Sequence, residues 1–293
     1  MATNPDPIID LMELADLAQP RKLAFEIHNQ LRKQYGKVPL AVPLEGIAKA
    51  VGIEDIADHP TEAFEGTLVV NGSRGIVALR RGMRPGRRRF TLGHELGHFL
   101  NPWHRSASNR FECSARDTGM DRAIGGRFAD RPPQERMEIE ANEFSNALLI
   151  RAPEYRAERQ ALGADPDLRH VQQLAEAFKV SLEVMSQTYV STSKETIGII
   201  TSRHGRVKRS MLPKAFPYLG MTSGAPLPVD SVTARMAKAG SPGAVSELAD
   251  VLRTGWLEQK GKIAALYEQV LIQRDGWAVT LLWAEEEEVD DDA

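Results

Sequence analysis

Apolar side chains recur at three- and four-residue spacing in several segments, a pattern that predicts amphipathic α-helices. The segments read LAFEIHNQLRKQYG, PLEGIAKAVGI, RFTLGHELGHFL and QERMEIEANEFSNALLI, followed by DLRHVQQLAEAFKVSLEVMSQTY, which predicts two helices broken near Val180 and Ser181. Pro43 suits the first turn of the second helix, and Asn101-Pro102 should end the third, because proline disfavours helical geometry in the residue before it. The first two thirds of the chain are therefore predicted to be mainly helical.

Other stretches carry strand signals. β-Branched runs flank Asn71-Gly72-Ser73, which predicts a hairpin with strands near 67–70 and 75–79. Beyond residue 196, TIGIITSRHGRV and YEQVLIQRDGWAVTLLW are also strand-like, the second forming a hairpin about Asp275-Gly276. The segment 103–133 is rich in Gly, Asp, Ser and Arg, and we expect it to be irregular.

These elements predict an α+β protein with two domains, for which 293 residues are sufficient. A mainly helical domain with a small sheet is expected over 20–195, after an N-terminal extension at 1–19. A second α+β domain should cover 196–285. Residues 286–293 form an acidic tail, in which like charges repel one another.

Composition limits the function classes. The 37 basic and 40 acidic side chains give a net charge of −3, so no overall cationic field favours direct binding to nucleic acid or to an anionic membrane. No apolar stretch has the length of a membrane span, and no export signal is evident. A single cysteine, Cys113, fits a reducing compartment, so we expect a cytoplasmic protein. With no neighbouring cysteine or clear activating base, this thiol is expected to lie outside any functional site.

The strongest chemical signal is the H-E-x-x-H motif formed by residues 94–98. Its histidines, His94 and His98, are four residues apart and share one helical face, so both imidazoles can reach one tetrahedral Zn²⁺. Glu95 lies one step around the helix, where it can take a proton from a metal-bound water as the general base. Zinc lowers the pKa of such a water to about 7, which makes a nucleophile at neutral pH.

A catalytic zinc needs a third protein ligand, and the residues leave three candidates. Glu138 and Glu140 lie on the long helix and, being two apart, face different sides of it, so only one can point at the metal. His104 follows His94 by ten residues, the spacing of the metzincin pattern H-E-x-x-H-x-x-G-x-x-H, with Asn101 in the place of the glycine.

Two motifs together carry a family resemblance. RRRFTLGHELGHFL, followed some forty residues later by EIEANEFSNALLI, resembles the ImmA/IrrE family of metallo-endopeptidases, and the preceding GTLVV…GIVAL is similar too. The resemblance covers roughly residues 20–190. Ser145 stands where alanine is usual in the family, and LLIRAP replaces the common LLMP.

The resemblance implies a compact zincin-like α+β fold similar to the gluzincins. It assigns the metal to His94, His98 and Glu138, with Glu140 as the second choice for the third ligand. We expect the ion to be Zn²⁺, and Mn²⁺ stays open as the alternative. His104 then becomes a second-sphere or oxyanion-stabilising group, and Asn142 can orient the Glu138 carboxylate.

The implied function is a zinc-dependent endopeptidase with Glu95 as the general base. Its substrate would be a protein, a helix-turn-helix repressor cleaved in stress response or mobile-element control. The C-terminal domain would sense a signal or dock the substrate. Two alternatives stay open: a metzincin-like protease that uses His104, and a DNA-binding transcriptional regulator whose metal site is structural or vestigial.

Overall fold

The computed structural model of the chain describes residues 5–114, 117, 128–217, 219–258 and 263–286. In these ranges the helices are α1 (Pro20–Tyr35), α2 (Leu44–Val51), α3 (Pro85–Leu100), α4 (Pro102–Ala107), α5 (Pro133–Leu149), α6 (Ala152–Ala161), α7 (Leu168–Phe178), α8 (Leu182–Thr192), α9 (Val232–Ala239) and α10 (Arg253–Trp256). The strands are β1 (Ile53–His59), β2 (Gly66–Asn71), β3 (Arg74–Arg80), β4 (Arg110–Cys113), β5 (Ile197–Arg203), β6 (Arg206–Met211), β7 (Ala249–Asp250), β8 (Ile263–Ile272) and β9 (Trp277–Glu286).

The predicted α+β class is confirmed, and each predicted helix and hairpin is present. The expectation of an irregular segment at 103–133 was wrong at its start, because this stretch contains α4 and β4. A four-residue strand is too short to give a clear period, which is why the sequence pattern did not reveal it. Of the predicted acidic tail, only Glu286, at the end of β9, lies within the described residues.

The chain divides into two compact units. One comprises Met1–Glu158 with Glu176–Ser181, and the other comprises Arg159–Ala175 with Leu182–Ala293. Most of α7 and all of α8 thus group with the C-terminal strands, rather than with the helices that precede them in sequence. The predicted domain boundary between residues 195 and 196 stays a prediction.

The first unit contains a mixed sheet in the order β1-β3-β2-β4. β2 and β3 form a hairpin closed by Gly72 and Ser73, where the positive φ of Gly72 (+60°) suits such a two-residue loop. β4 pairs antiparallel with β2 and forms an edge of the sheet. The register opposes Cys113 to Gly66, which lies beside α3.

Helix α3 is buried from Phe90 through Leu100 and packs closely on α5. Gly93 and Gly97 permit this approach, since a Cβ on Gly97 would lie 2.9 Å from the Cα of Ala141. Buried apolar residues on both helices form the core here, among them Phe90, Leu92, Leu96, Phe99, Phe144 and Leu148. The close crossing brings the polar faces of α3 and α5 together within this core.

The second unit is built on an antiparallel sheet in the order β6-β5-β9-β8-β7. One of its apolar clusters contains Trp256 and Leu266. The carboxylate of Glu268, fully buried on β8, accepts hydrogen bonds from the first backbone amides of α9 and from the Trp256 indole. In neither unit do the described residues include a helix long and apolar enough to cross a membrane.

Candidate metal centre

Two histidines on α3 and a glutamate on α5 converge in the first unit. His94 Nε2 and His98 Nε2 lie 3.1 Å apart, as expected for side chains one helical turn apart on one face. Glu138 reaches both, with Oε2 at 3.2 Å from His94 Nε2 and Oε1 at 3.6 Å from His98 Nε2. All three side chains are buried.

Cys113, at the end of β4, completes the cluster. Its Sγ lies 3.2 Å from His94 Nε2 and 3.7 Å from His98 Nε2. One donor atom from each of these residues and Glu138 lies within 4.8 Å of the others, and all four residues are buried. Imidazole nitrogen, thiolate sulfur and carboxylate oxygen are the zinc ligands found in proteins, so the cluster is fit to hold such an ion.

The expectation that Cys113 lies outside the site was therefore wrong. Side chains alternate along β4, with Phe111 and Cys113 buried and their neighbours exposed. The Phe111 ring stacks on His98, with centroids 4.4 Å apart, and the pairing of β4 with β2 holds Cys113 beside His94 of α3. Because eighteen residues separate His94 from Cys113 in the sequence, no local pattern indicated that they lie close together.

Glu95 lies beside the cluster but is not one of its four residues. It is fully buried, yet neither of its carboxylate oxygens has a hydrogen bond of normal geometry. Burial raises its pKa to about 7, against the opposing influence of His94 and Cys113. Gly66 of β2 covers it, and a Cβ there would collide with Glu95 Oε1. A buried carboxyl group with a pKa near neutrality is suited to general-base catalysis.

Burial and mutual contacts shift the pKa values of the four residues of the cluster. Burial raises the pKa of the Glu138 carboxyl, but its contacts with His94 and His98 outweigh burial and hold that pKa below its ordinary value. Burial favours the neutral form of both histidines. For His98, burial outweighs the contact with Glu138 and lowers the pKa to about 4. For His94, the contact with Glu138 outweighs burial and raises the pKa above its usual value. Burial also raises the pKa of the Cys113 thiol well above its ordinary value.

A second layer of polar groups surrounds His98. His104 Nδ1 lies 3.1 Å from His98 Nδ1, on the side of the ring facing away from Glu138, and His104 Nε2 lies 3.1 Å from Glu140 Oε2. The same Glu140 oxygen accepts hydrogen bonds from the Trp103 indole and the Asn101 side chain. His98 is thus linked through His104 to a carboxylate anchored by two further donors.

His94 has a support of its own. Its Nδ1 lies 2.9 Å from Asn142 Oδ1, and the Asn142 amide donates to the Asp117 backbone carbonyl at 2.8 Å. Asn142 was expected to orient Glu138, but its hydrogen bonds go to His94 and to Asp117. The amide therefore fixes the orientation of a histidine ring.

The structure separates the three candidates for the third ligand. Glu138 directs its carboxylate to the Nε2 atoms of both motif histidines. Glu140 and His104 contact each other on the far side of His98, and neither belongs to the four-residue cluster. Asn101 has φ −78° and ψ 117°, so the left-handed turn that the metzincin pattern requires of the glycine position is absent here.

Comparison with known proteins finds one family model that matches part of the chain. Residues 49–189 match the family described as the IrrE N-terminal-like domain, Peptidase_M78. No curated protein sequence matches the chain significantly. A solved structure described as a Mycobacterium tuberculosis transcriptional regulator is similar with a TM-score of 0.47 and 14% identity, over 93% of this chain and 72% of that chain.

Proposed function

Residues 49–189 belong to the IrrE N-terminal-like family of peptidases, and from this membership we propose that the protein is a metal-dependent endopeptidase. The observation that carries the proposal is the position of Glu95. Its buried carboxylate has no hydrogen bond of normal geometry, and it lies beside a cluster fit to hold a metal. A buried carboxylate without such hydrogen bonds is costly. A catalytic role accounts for a carboxylate at this buried position.

His94, His98 and Glu138 are proposed to hold the ion. When bound, a divalent metal supplies a Lewis acid that polarises the scissile carbonyl and makes water more acidic. Glu95 accepts the proton of the attacking water and delivers it to the leaving amide nitrogen. Burial of Glu95 keeps bulk water from competing for this proton.

We propose zinc as the ion. Thiolate and imidazole donors favour zinc, whereas manganese prefers carboxylate, carbonyl and water oxygens. The cluster offers two imidazoles and a thiol against one carboxylate. Manganese is the second choice.

The substrate proposed from the resemblance is a helix-turn-helix repressor, and the cellular location is the cytoplasm. Cleavage would relieve repression in stress response or mobile-element control. In this proposal the predicted C-terminal domain, residues 196–285, senses a signal or docks the substrate.

The first experiment measures metal content. Elemental mass spectrometry is applied to the wild type and to His94→Ala, Glu138→Ala and His104→Ala. We expect about one zinc per chain in the wild type and in His104→Ala, with loss of zinc in the other two variants, because only those two remove a donor. Retention of zinc in Glu138→Ala together with its loss in His104→Ala would favour the metzincin-like ligand set instead.

The second experiment measures hydrolysis. Zinc-loaded wild type and Glu95→Gln are incubated with a proteome-derived peptide library, and new amino termini are counted by mass spectrometry. Glu95→Gln keeps the shape and the zinc but cannot accept a proton, so cleavage should fall by about 10²–10⁴-fold. Equal cleavage by the two proteins would remove Glu95 from the mechanism.

One observation favours a different function, a DNA-binding regulator with a structural metal. Four protein donors make a closed set, as in structural zinc sites. The basic groups argue against it: Arg169 of α7 pairs with Asp167 and Glu247, and Arg88 of α3 pairs with Glu45 and Asp58. That function predicts binding to duplex DNA that weakens steeply with salt, and full biological activity in Glu95→Gln.

A further inference from the structure

We propose that Cys113 is a fourth ligand of the metal held by His94, His98 and Glu138, and that its thiolate occupies the coordination position needed by the catalytic water. The protein would then be a latent peptidase, closed by a cysteine of its own sheet. Coordination by Cys113 stands independently of the proposed function. Latency rests on that function, since it describes how the peptidase site is regulated.

The separations between donor atoms support coordination of the metal by Cys113. Donor atoms of a tetrahedral zinc site lie about 3.3–3.6 Å apart, as follows from Zn–N distances of about 2.0–2.1 Å and Zn–S distances of about 2.3 Å. In this protein the two Nε2 atoms are 3.1 Å apart, and Cys113 Sγ is 3.2 and 3.7 Å from them. Glu138 oxygens lie 3.2 and 3.6 Å from the same nitrogens. These separations are therefore close to those within one coordination shell, and one donor atom from each of the four residues lies within 4.8 Å of the others.

The position of the sulfur relative to Glu95 supports the proposal that the thiolate takes the place of the catalytic water. A water that is to be activated must contact both the metal and the general base. Gly66, which lies directly against the Glu95 carboxylate, is the β2 residue opposite Cys113. The thiol also interacts electrostatically with Glu95. The sulfur is thus next to both histidine nitrogens and interacts with the general base, the same groups that the attacking water would have to reach.

The backbone holds Cys113 in this place. The Cys113 carbonyl accepts a hydrogen bond from the Glu65 amide at 2.9 Å, and the side chain is fully buried. Glu65 is itself fixed by ion pairs to Arg80 and Arg87. The thiol is therefore presented by a paired and anchored strand. A zinc site with four protein ligands leaves no position for water, and opening it requires that the sulfur leave the ion.

Cobalt substitution tests coordination in the full-length protein. Tetrahedral Co²⁺ bound to a thiolate shows a sulfur-to-metal charge-transfer absorption in the near ultraviolet. Because the chain has one cysteine, such a band can come only from Cys113. We expect the band in the wild type with one bound Co²⁺, and its loss in Cys113→Ser and Cys113→Ala, which still bind the ion. Stoichiometric Co²⁺ without the band in the wild type would overturn the proposal.

A small anion tests latency. Azide is titrated into the Co²⁺ forms of the wild type and Cys113→Ala, and the visible absorption is followed. An open position in the variant should give an azide-dependent shift that the wild type lacks. Hydrolysis of the peptide library should also rise in the zinc form of Cys113→Ala, by roughly tenfold or more if the position is free in fewer than about one wild-type molecule in ten.

The outcomes separate the two proposals. An equal azide response in both proteins, or unchanged hydrolysis in an actively cleaving Cys113→Ala, overturns latency alone. A thiolate band and an azide-accessible variant that cleaves no peptide would retain Cys113 as a ligand and reject the peptidase function, and with it latency. Failure of the wild type to bind Co²⁺ at all would overturn both. Circular dichroism and urea unfolding of both cysteine variants establish that they fold.

Discussion

His98 can bind a metal through Nε2 only while its other ring nitrogen carries the proton. In that state Nδ1 donates to His104 Nδ1, and His104 in turn donates from Nε2 to Glu140. Burial lowers the pKa of His104, which favours the neutral ring that this arrangement requires. The His104–Glu140 pair thus fixes the tautomer and the orientation of His98, a proposed metal ligand, from outside the four-residue cluster.

Replacing His104 tests this support. His104→Ala removes the acceptor for His98 Nδ1–H, and we expect the zinc affinity to fall by about 10–100-fold, the usual cost of losing a partner of a metal-binding histidine. His104→Asn serves as the control, because its Oδ1 can accept the same hydrogen bond and should restore most of the affinity. Zinc dissociation constants come from competition with a chromophoric chelator. Unchanged affinity in His104→Ala would mean that packing alone orients His98.

At the scale of elements, the site depends on how closely α3 and α5 approach. A Cβ added at Gly97 would meet Ala141 backbone atoms at 2.9 and 3.2 Å, whereas one at Gly93 would meet the Ser145 hydroxyl at 2.5 Å. Ser145 lies where the family usually has alanine, and here its hydroxyl donates to the Phe90 carbonyl. One glycine therefore faces rigid backbone, and the other faces a side chain that can be shortened.

This difference predicts that the crowding caused by an added Cβ can be relieved at Gly93 but not at Gly97. Gly97→Ala should destabilise the protein by about 1–3 kcal/mol and weaken zinc binding, because α5 must move and carry Glu138 away from the histidines. Gly93→Ala should also destabilise it, but the double variant Gly93→Ala/Ser145→Ala should recover much of the loss. Urea unfolding and chelator competition measure the two effects. A fully stable Gly97→Ala with normal zinc affinity would show that the helices can separate without consequence for the site.

At the scale of the whole molecule, acid should destabilise the fold through a buried histidine outside the metal centre. His28 of α1 is buried, and its Nε2 lies 2.9 Å from the Leu148 carbonyl of α5. Burial lowers its pKa from 6.5 to about 4. Between these values the unfolded chain binds a proton that the folded chain does not, so stability falls as the pH falls from about 6.5 to about 4.

The variant His28→Gln isolates this contribution, because its amide can still donate to the Leu148 carbonyl but does not titrate. From pH 7.5 to pH 5 the wild type should lose about 2 kcal/mol more of its unfolding free energy than the variant. Urea unfolding at the two pH values gives the four free energies. The metal-site groups are common to both proteins, so their pH effects cancel in the difference. Equal losses would place the acid sensitivity elsewhere.

In the two compact units, most of α7 and all of α8 group with the C-terminal strands. The Leu168 amide and the Asp167 carboxylate of the α7 segment bond to Gln269 of β8, a hundred residues further on. Helix α8 packs on β5 and β6. Periodicity located these helices, but it could not show which sheet their apolar faces would cover, because an amphipathic helix specifies a buried face and not its partner.

The sequence alone determined the features that depend on residues close together along the chain. Helical spacing placed His94 and His98 on one face with Glu95 beside them, and paired hydrophobic runs located the hairpins. For the third ligand, spacing within α5 separated Glu138 from Glu140, and only the family resemblance chose between them. Only the tertiary structure decided what depends on contacts between distant segments. It brought Cys113 into the cluster through the β2–β4 register and set His104 and Glu140 behind His98. A thiol's role depends on what the fold packs against it, and no local pattern encodes that.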